Sequence, residues 1–239
     1  MSNEALKERH ILVTGSSSGI GKAVSEKLLA VGAMVYGIAR DHDKFRPNSE
    51  NYHPVNMDIS DLKELSERIL KLIMKQPKID GLLSNAGYGD FGSLENFSPK
   101  QIISHINDNL VSHMIITRCI LPHLKTKNGG NIIFMGSESA LAGGAKGSLY
   151  AAAKFGLRGF AQSIRQEGSS KNIRVTLINP GMVRTNFFDS LKFKPGENQE
   201  NAISPEDLAD IVINVLSLNP RTVIDEINLT PLKKVIEFD

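Results

Sequence analysis

Two kinds of hydrophobic pattern alternate along the chain. Short apolar runs, bounded by polar or glycine-containing turns, predict seven strands at residues 10–14, 34–39, 52–56, 81–84, 131–135, 174–178 and 226–229. Between them, apolar residues recur at helical spacing and predict five helices at residues 21–31, 61–75, 99–125, 149–169 and 205–218. Residues 189–203 follow neither period, so we expect an irregular segment there.

The order of these elements indicates the fold. A strand that pairs in parallel with an earlier one needs a long crossover connection, and helices of this length supply it. The sequence therefore predicts an α/β protein with a Rossmann-like three-layer fold, in which helices cover both faces of a doubly wound parallel sheet of about seven strands. No repeat, linker or low-complexity tract interrupts the pattern, so residues 1–239 are predicted to form a single domain.

Composition excludes several classes of function. Hydrophobic residues make up 41% of the chain and charged residues 23%, as in an ordinary globular protein. The formal net charge is +2 without a dense Lys/Arg stripe, which argues against nucleic acid binding. The lone cysteine, Cys119, excludes an internal disulfide and a cysteine-built zinc site, and no metal site is predicted. Because no apolar stretch approaches the ~18 residues of a membrane span and no secretory pattern opens the chain, we expect a soluble, cytoplasmic protein.

The first candidate for chemistry is the segment Tyr-Ala-Ala-Ala-Lys at residues 150–154. Positions i and i+4 of a helix share one face, which would bring the phenol of Tyr150 beside the ammonium of Lys154. A neighbouring cation favours phenolate, so we expect Lys154 to lower the pKa of Tyr150 and make it a usable acid and base. Ser137 precedes this pair at the end of an apolar run. Taken alone, the motif also fits two surface residues on a helix.

A second candidate is the glycine-rich turn between the first strand and the first helix. Gly15, Gly19 and Gly21 would let the backbone turn tightly and approach a pyrophosphate at the helix N-terminus. The spacing is G-x-x-x-G-x-G. A P-loop would need glycine where Ser16 stands and Ser or Thr where Ala23 stands, so that interpretation fails at both positions.

The end of the second strand bears on which dinucleotide is bound. In this topology it faces the adenosine ribose, where an acidic residue binds a free 2′-hydroxyl and an arginine accommodates a 2′-phosphate. Arg40 stands there without an acid at the strand tip, which favours NADP(H); a solvated arginine paired with Asp41 or Asp43 is the alternative. Asp58, after the third strand, is predicted to bind the adenine amino group, unless it merely caps a helix or loop.

Together these motifs resemble the short-chain dehydrogenase/reductase family over nearly the whole chain. The Thr-Gly-x-x-x-Gly-x-Gly turn at 14–21 is similar to the family's cofactor turn, and Asn-Ala-Gly at 85–87 to the motif closing its fourth strand. The resemblance implies a catalytic tetrad of Asn109, Ser137, Tyr150 and Lys154. The segment 179–185 is similar to the one lining the nicotinamide. The implied cofactor-binding residues are Gly15, Ser17, Ser18, Gly19, Ile20, Gly21, Arg40, Asp58, Asn85, Ala86, Gly87, Tyr150, Lys154, Pro180, Gly181, Val183 and Thr185.

The chain also departs from the family pattern. Gly136 stands where many relatives carry a second serine, and Ser18 where some NADP-preferring members place a basic residue. Only about a dozen residues separate Arg40 from the third strand, so the usual intervening helix is predicted to be short or absent. That shortening weakens the prediction for Asp58.

The function implied is hydride transfer between NADP(H) and a carbonyl or secondary alcohol of a small, partly apolar substrate. Tyr150 would exchange the proton and Ser137 would hold the substrate oxygen. Lys154 would reach the nicotinamide ribose, and Asn109 would hold a water that links Lys154 to solvent. Residues 185–203, which are rich in phenylalanine, are predicted to form a substrate lid.

The resemblance also implies a homodimer or homotetramer that pairs through helices 99–125 and 149–169. Neither a nucleic acid nor a membrane is an expected partner. Two alternatives stay open. One is a catalytically silent redox sensor or scaffold protein that binds NADP. The other is a lyase, epimerase or dehydratase on the same cofactor platform, although the roughly fifty residues after Thr185 leave little room for a separate substrate lobe.

Overall fold

The computed structural model describes residues 6–238 and is built on one seven-stranded parallel sheet. Its strand order is β3-β2-β1-β4-β5-β6-β8. The strands are β1 (His10–Thr14), β2 (Met34–Ala39), β3 (Tyr52–Asn56), β4 (Gly81–Ser84), β5 (Gly130–Met135), β6 (Ile173–Pro180) and β8 (Glu226–Leu229). All seven predicted strands are confirmed, with differences of at most two residues at their ends.

In the described part of the chain, six α-helices flank the sheet. They are α1 (Gly19–Ala30), α2 (Leu62–Lys75), α3 (Pro99–Ile106), α4 (Ser112–Lys127), α5 (Ser148–Ser169) and α6 (Pro205–Ser217). Alternate strand residues enter different cores, since successive side chains point to opposite faces. Leu12 lies in the core shared with α2, α4 and α5, whereas Val13 lies in the core shared with α1 and α6. The predicted Rossmann-like three-layer fold is therefore confirmed.

The strand order reverses beside β1. From β1 the chain proceeds outward through β2 to β3, and then returns to place β4 on the other side of β1. The loops after β1 and β4 thus diverge at their carboxyl ends, where open α/β sheets bind their ligands. Thr14 joins these loops, because its Oγ1 accepts hydrogen bonds from the N–H groups of Asn85 (2.8 Å) and Ala86 (3.0 Å).

Two elements differ from the prediction or were not predicted. The helix predicted over 99–125 is divided by a π-helical turn, Asn107–Val111, in which the Ser112 N–H reaches back to the Asn107 carbonyl oxygen. A separate two-stranded antiparallel sheet joins β7 (Phe193–Pro195) to β9 (Ile236–Phe238). Strand β7 lies inside the segment predicted to be irregular, whereas β9 lies more than thirty residues after it. Residues 40–51 form turns without a helix, as expected.

Within residues 6–238, no helix is both long and apolar enough to cross a bilayer.

Candidate active site

A cleft of about 1140 Å³ lies along the carboxyl ends of the parallel strands. The segments that follow β1 to β6 line it, and so do residues of α5 and of β9. Every residue that the sequence predicted for cofactor binding or catalysis lines this cleft, except Gly21. Side chains widely separated along the chain therefore meet at one site, as the parallel topology requires.

Gly21 is buried in α1 behind the cleft and makes the glycine turn possible. A Cβ built on Gly21 would lie 2.2 Å from the Gly15 carbonyl oxygen, closer than any real side chain can approach. Gly15 (φ +68°) and Gly19 (φ +50°) adopt left-handed backbone conformations that favour glycine. The three predicted glycines thus bring the end of β1 and the start of α1 into direct contact.

The N-terminus of α1 is open toward the cleft. Its N-cap residue, Ser18, makes no side-chain hydrogen bond to the first turn, and that turn contains no acidic residue. The first backbone N–H groups of a helix lack partners within the helix, and together with the helix dipole they attract anions. The site therefore fits the pyrophosphate of a dinucleotide.

Arg40 and Asp58 lie at another part of the cleft. The two carboxylates considered as partners of Arg40 are engaged elsewhere: Asp43 pairs with Arg46 (2.8 Å), and Asp41 Oδ1 accepts a hydrogen bond from the Asp43 N–H (2.7 Å). Among residues 6–238, no carboxylate forms an ion pair with Arg40, whose side chain is exposed. An exposed guanidinium without a protein partner suits a phosphate ligand.

Asp58 has a local role in the loop after β3. Its Oδ1 accepts a hydrogen bond from the Ser60 N–H at 2.9 Å, as in the loop-capping alternative. Burial alone would raise the pKa of Asp58, but hydrogen bonds from Ser60 and the charge of Arg40 outweigh it and lower that pKa. Asp58 is thus an ionised acceptor on the wall of the cleft.

The predicted catalytic side chains meet where β5 ends beside α5. Ser137 follows β5, and Tyr150 and Lys154 lie one helical turn apart in the first half of α5. All three are buried, with 8%, 7% and 4% of their surfaces exposed. The Lys154 Nζ donates a hydrogen bond to the Met135 carbonyl oxygen (2.9 Å) and lies 5.5 Å from the centroid of the Tyr150 ring.

The expected lowering of the Tyr150 pKa is wrong for this structure. Burial and, to a smaller extent, the charge of Glu138 raise the pKa of Tyr150 to about 12, although the neighbouring Ser137 hydroxyl opposes the rise. Lys154, whose ammonium bonds to the Met135 carbonyl oxygen and lies 5.5 Å from the ring centroid, does not offset this effect. Burial also lowers the pKa of Lys154 to about 8.

Asn109 lies fully buried in the π-helical turn and holds the backbone around it. Its Nδ2 donates to the His105 carbonyl oxygen (3.1 Å), and its Oδ1 accepts from the Tyr88 N–H (3.2 Å) in the loop after β4. Position 87 requires glycine, since a Cβ there would lie 2.7 Å from the Asn109 Oδ1. The side-chain amide thus fastens α3 to the Asn-Ala-Gly loop.

Sequence reasoning missed Asn179, which supports Ser137, the serine predicted to be catalytic. Its Oδ1 accepts a hydrogen bond from the Ser137 N–H (3.3 Å), while its Nδ2 donates to Glu226 and Asn228 of β8 (2.9 Å each). A Cβ on Gly136 would lie 2.0 Å from the same Oδ1, so the glycine that departs from the family pattern makes room for Asn179. The Asn-Pro-Gly motif at 179–181 could have indicated this residue, but it was interpreted only as part of the segment that lines the nicotinamide.

The segment predicted as an irregular lid has local structure. A 3-10 turn (Asn186–Phe188), β7 and a second 3-10 turn (Gln199–Asn201) follow one another. Arg184 Nη2 donates to the carbonyl oxygens of Gly196 (2.9 Å) and Asn198 (2.8 Å), so this guanidinium holds the segment itself. Pro180, Gly181, Val183 and Thr185 line the cleft at its start.

Aromatic side chains surround the Tyr150 ring. The ring centroids of Phe91, Phe187 and His105 lie 5.3, 5.9 and 6.1 Å from that of Tyr150, and the His105 ring is steeply inclined to it. His105 is fully buried and was not singled out from the sequence. Nor was the C-terminal segment, in which Ile236 and Phe238 line the cleft.

Residues 6–238 contain no group of three or more His, Cys, Asp or Glu side chains placed to hold a metal ion.

Comparison with known proteins identifies the family. A sequence model for short chain dehydrogenase matches residues 9–195. Sepiapterin reductase of Chlorobaculum tepidum is 28% identical, over 97% of this chain and 100% of that protein. The NADP-dependent 3-hydroxy acid dehydrogenase of Schizosaccharomyces pombe is 28% identical, over 95% of this chain and 93% of that protein.

A solved structure of a metagenomic short-chain oxidoreductase in complex with NADP superposes with a TM-score of 0.82. It is 28% identical, and the match covers 96% of this chain and 100% of that one. The family match thus spans the glycine turn, the buried serine, tyrosine and lysine, and the segment after β6. The chain belongs to the short-chain dehydrogenase/reductase family of oxidoreductases.

Proposed function

We propose that the protein is an NADP(H)-dependent oxidoreductase that interconverts a carbonyl and a secondary alcohol of a small, partly apolar substrate. One observation carries this proposal: the buried Ser137, Tyr150 and Lys154 share a continuous cleft with the open N-terminus of α1 and the unpaired Arg40. A proton donor and a dinucleotide site within one cleft are the two requirements of this reaction.

NADP(H) is the proposed cofactor. The α1 N-terminus and the glycine turn would hold its pyrophosphate, and Arg40 would bind its 2′-phosphate. Asp58 and the Asn-Ala-Gly loop at 85–87 would line the adenosine and ribose side, while residues 180–185 would line the nicotinamide. The metagenomic relative bound to NADP, and the yeast relative named NADP-dependent, support this choice of cofactor.

When bound, the nicotinamide supplies or accepts the hydride. The protein handles the proton. Tyr150, with a pKa raised to about 12, remains protonated throughout the neutral range, so its hydroxyl is suited to donate a proton to a carbonyl oxygen during reduction. Ser137 would hydrogen-bond to the same oxygen and fix its position.

Lys154 would reach the cofactor ribose with the N–H groups not used by Met135, and would link Tyr150 to the solvent through water. Asn109 would fix the π-helical turn beside this route. The hydrogen bonds from both ends of its side-chain amide support this positioning role, and the predicted water would occupy a remaining acceptor position of Asn109.

We extend the proposal to the architecture of the active protein. Residues 1–239 would act as a single cytoplasmic domain whose segment 185–203 closes over the substrate. Two copies would pair through α3, α4 and α5, where Ile103 and Phe155 are 61% and 43% exposed.

The decisive experiment measures binding and turnover separately. NADPH and NADH are titrated into the protein, and oxidation of the reduced cofactor is then followed with a panel of aldehydes and ketones. We expect tighter binding of NADPH and turnover of at least one carbonyl compound. Binding without turnover on the whole panel would favour the silent sensor or scaffold, and equal affinity for both cofactors would remove the 2′-phosphate argument.

A further inference from the structure

The small sheet formed by β7 and β9 has two chemically different faces. In its antiparallel register, Phe193 lies opposite Phe238, Pro195 opposite Ile236, and Lys194 opposite Glu237. Residues directly opposite one another point to the same side of a sheet, and neighbours along a strand point to opposite sides. One face is therefore apolar, whereas the other carries an oppositely charged pair.

The apolar face is turned toward the cleft. Phe193, Ile236 and Phe238 line the cleft, yet Phe238 is 78% exposed and Ile236 is 40% exposed. A two-stranded sheet of three-residue strands is marginal unless its apolar face is covered. Here that face contacts the protein only in part, and the uncovered part borders the proposed active site.

An aromatic row connects this face to Tyr150. The ring centroid of Phe91 lies 5.3 Å from that of Tyr150 and 5.0 Å from that of Phe193, and the Phe193 centroid lies 6.4 Å from that of Phe238. These neighbouring rings form a continuous apolar wall. A substrate whose reacting carbon lies at the Tyr150 hydroxyl can extend along it. This continuity favours the body of the substrate as the occupant of the exposed face.

We propose that the apolar face of the β7–β9 sheet is a wall of the substrate site, on which Phe193, Ile236 and Phe238 select carbonyl or alcohol substrates that carry an extended apolar body. The inference rests on the proposed function and narrows its substrate class. It assigns specificity to the last residues of the chain, far in sequence from the catalytic tyrosine.

Neighbouring lysines fasten this C-terminal segment at two places. Lys234 Nζ pairs with Glu138 (2.8 Å), the residue that follows Ser137, and Lys233 Nζ pairs with Glu200 (3.1 Å) in the segment after β7. Partly exposed ion pairs add little to global stability. We therefore expect loss of the Lys234 pair to loosen the wall without unfolding the protein.

The test uses straight-chain methyl ketones of increasing length. Their dissociation constants are measured by titration calorimetry on the Tyr150→Phe protein with NADP⁺, which requires no turnover, and kcat/KM is measured on the parent protein with NADPH. We expect affinity and kcat/KM to rise by about fourfold per methylene until the wall is covered, because each methylene leaves water.

Two variants and a matched control locate the effect. Phe238→Ala should lower the affinity for the longest ketones by about tenfold while leaving the shortest unchanged. Lys234→Ala should also lower the affinity for the longest ketones, whereas Lys233→Ala should lower it less. Leu232→Ala is the control, because this side chain is 87% exposed in the same segment but does not line the cleft.

The outcomes separate this inference from the proposed function. Length-dependent binding that Phe238→Ala abolishes would support the wall even if no ketone is turned over. Turnover of short and long ketones with the same kcat/KM would support the oxidoreductase and overturn the wall. Absence of ketone binding, or equal losses in Phe238→Ala and Leu232→Ala, would also overturn it.

Discussion

The ammonium of Lys154 lies 5.5 Å from the centre of the Tyr150 ring, one turn away on α5, and donates its hydrogen bond to Met135 rather than to the phenol oxygen. An ammonium at this distance from an aromatic ring is attracted by the ring's quadrupole. Burial then decides both pKa values: it raises that of Tyr150 and lowers that of Lys154. The pair thus holds a protonated phenol beside a lysine that titrates near pH 8.

Replacing Tyr150 tests its role as proton donor. Tyr150→Phe should lower kcat by about 10²–10⁴-fold, because general acid–base help of this size is lost, while NADPH affinity stays within about twofold. Tyr36→Phe is the control, since its hydroxyl bonds to Gln76 outside the cleft. Steady-state kinetics with a good carbonyl substrate checks this. A Tyr150→Phe protein that kept most of its rate would contradict the assignment.

The pKa of Lys154 predicts how stability depends on pH. Between about pH 8 and 10.5 the folded protein has released this proton while the unfolded chain still holds it, so the free energy of unfolding should rise with pH. The shift of Tyr150 acts with the opposite sign, since its contribution is lost as pH rises from about 10 to 12.

Urea unfolding of the ligand-free protein at several pH values measures this effect. Lys154→Met should flatten the rise between about pH 8 and 10, because it removes the titrating group and keeps the aliphatic stem. If the parent and the variant show the same slope, then burial does not lower the pKa of Lys154 in the folded protein.

Two glycines provide a matched test of the cofactor turn. Gly21→Ala should abolish NADPH binding and destabilise the fold, because its Cβ would meet the Gly15 carbonyl oxygen. Gly159→Ala on α5 has no atom within 4 Å of its Cβ in the same subunit, lies outside the cleft, and should leave NADPH binding unchanged. Thermal melting with and without NADPH distinguishes the two. Normal NADPH binding by Gly21→Ala would contradict the proposed role of this turn in cofactor binding.

Charge reversal tests the discrimination between cofactors. Arg40→Asp should weaken NADPH binding by about 10–100-fold, through loss of a charged hydrogen bond and like-charge repulsion, and should improve the relative affinity for NADH. Arg46→Asp is the control, since Arg46 pairs with Asp43 outside the cleft. Equilibrium titration with both cofactors gives the ratio. Equal losses of NADPH affinity in Arg40→Asp and Arg46→Asp would indicate a general effect of net charge instead of direct contact between Arg40 and the 2′-phosphate.

The exposed helix faces predict self-association. We expect light scattering to report a dimer or tetramer, and Ile103→Glu together with Phe155→Glu to shift it toward monomer, because charges would enter an apolar interface. Leu70→Glu on α2 is the control, since Leu70 is 44% exposed on a helix that is not part of the proposed interface. A monomeric parent protein would refute this prediction.

Much of the fold could be read from local patterns. Strands and helices with one buried face must repeat apolar residues at fixed spacing, so β1 to β6 and α1, α2, α5 and α6 were visible in the sequence. The π-helical turn at Asn107–Val111 was not visible, because one extra residue in a helix barely alters the apolar spacing. The pairing of β7 with β9 was not visible either, since three-residue strands are too short to establish a period.

The sequence by itself determined the order of the elements, the glycine turn and the i, i+4 placement of Tyr150 and Lys154, because these depend on neighbouring residues and on the geometry of one helix. Only the tertiary structure decided what surrounds them: Asn179 behind Ser137, the aromatic row, and the C-terminal strand at the cleft. Segments distant in the chain bury these side chains, and burial sets the direction in which each pKa shifts. Local sequence therefore revealed which groups meet, whereas their acidity and the shape of the substrate site required the folded chain.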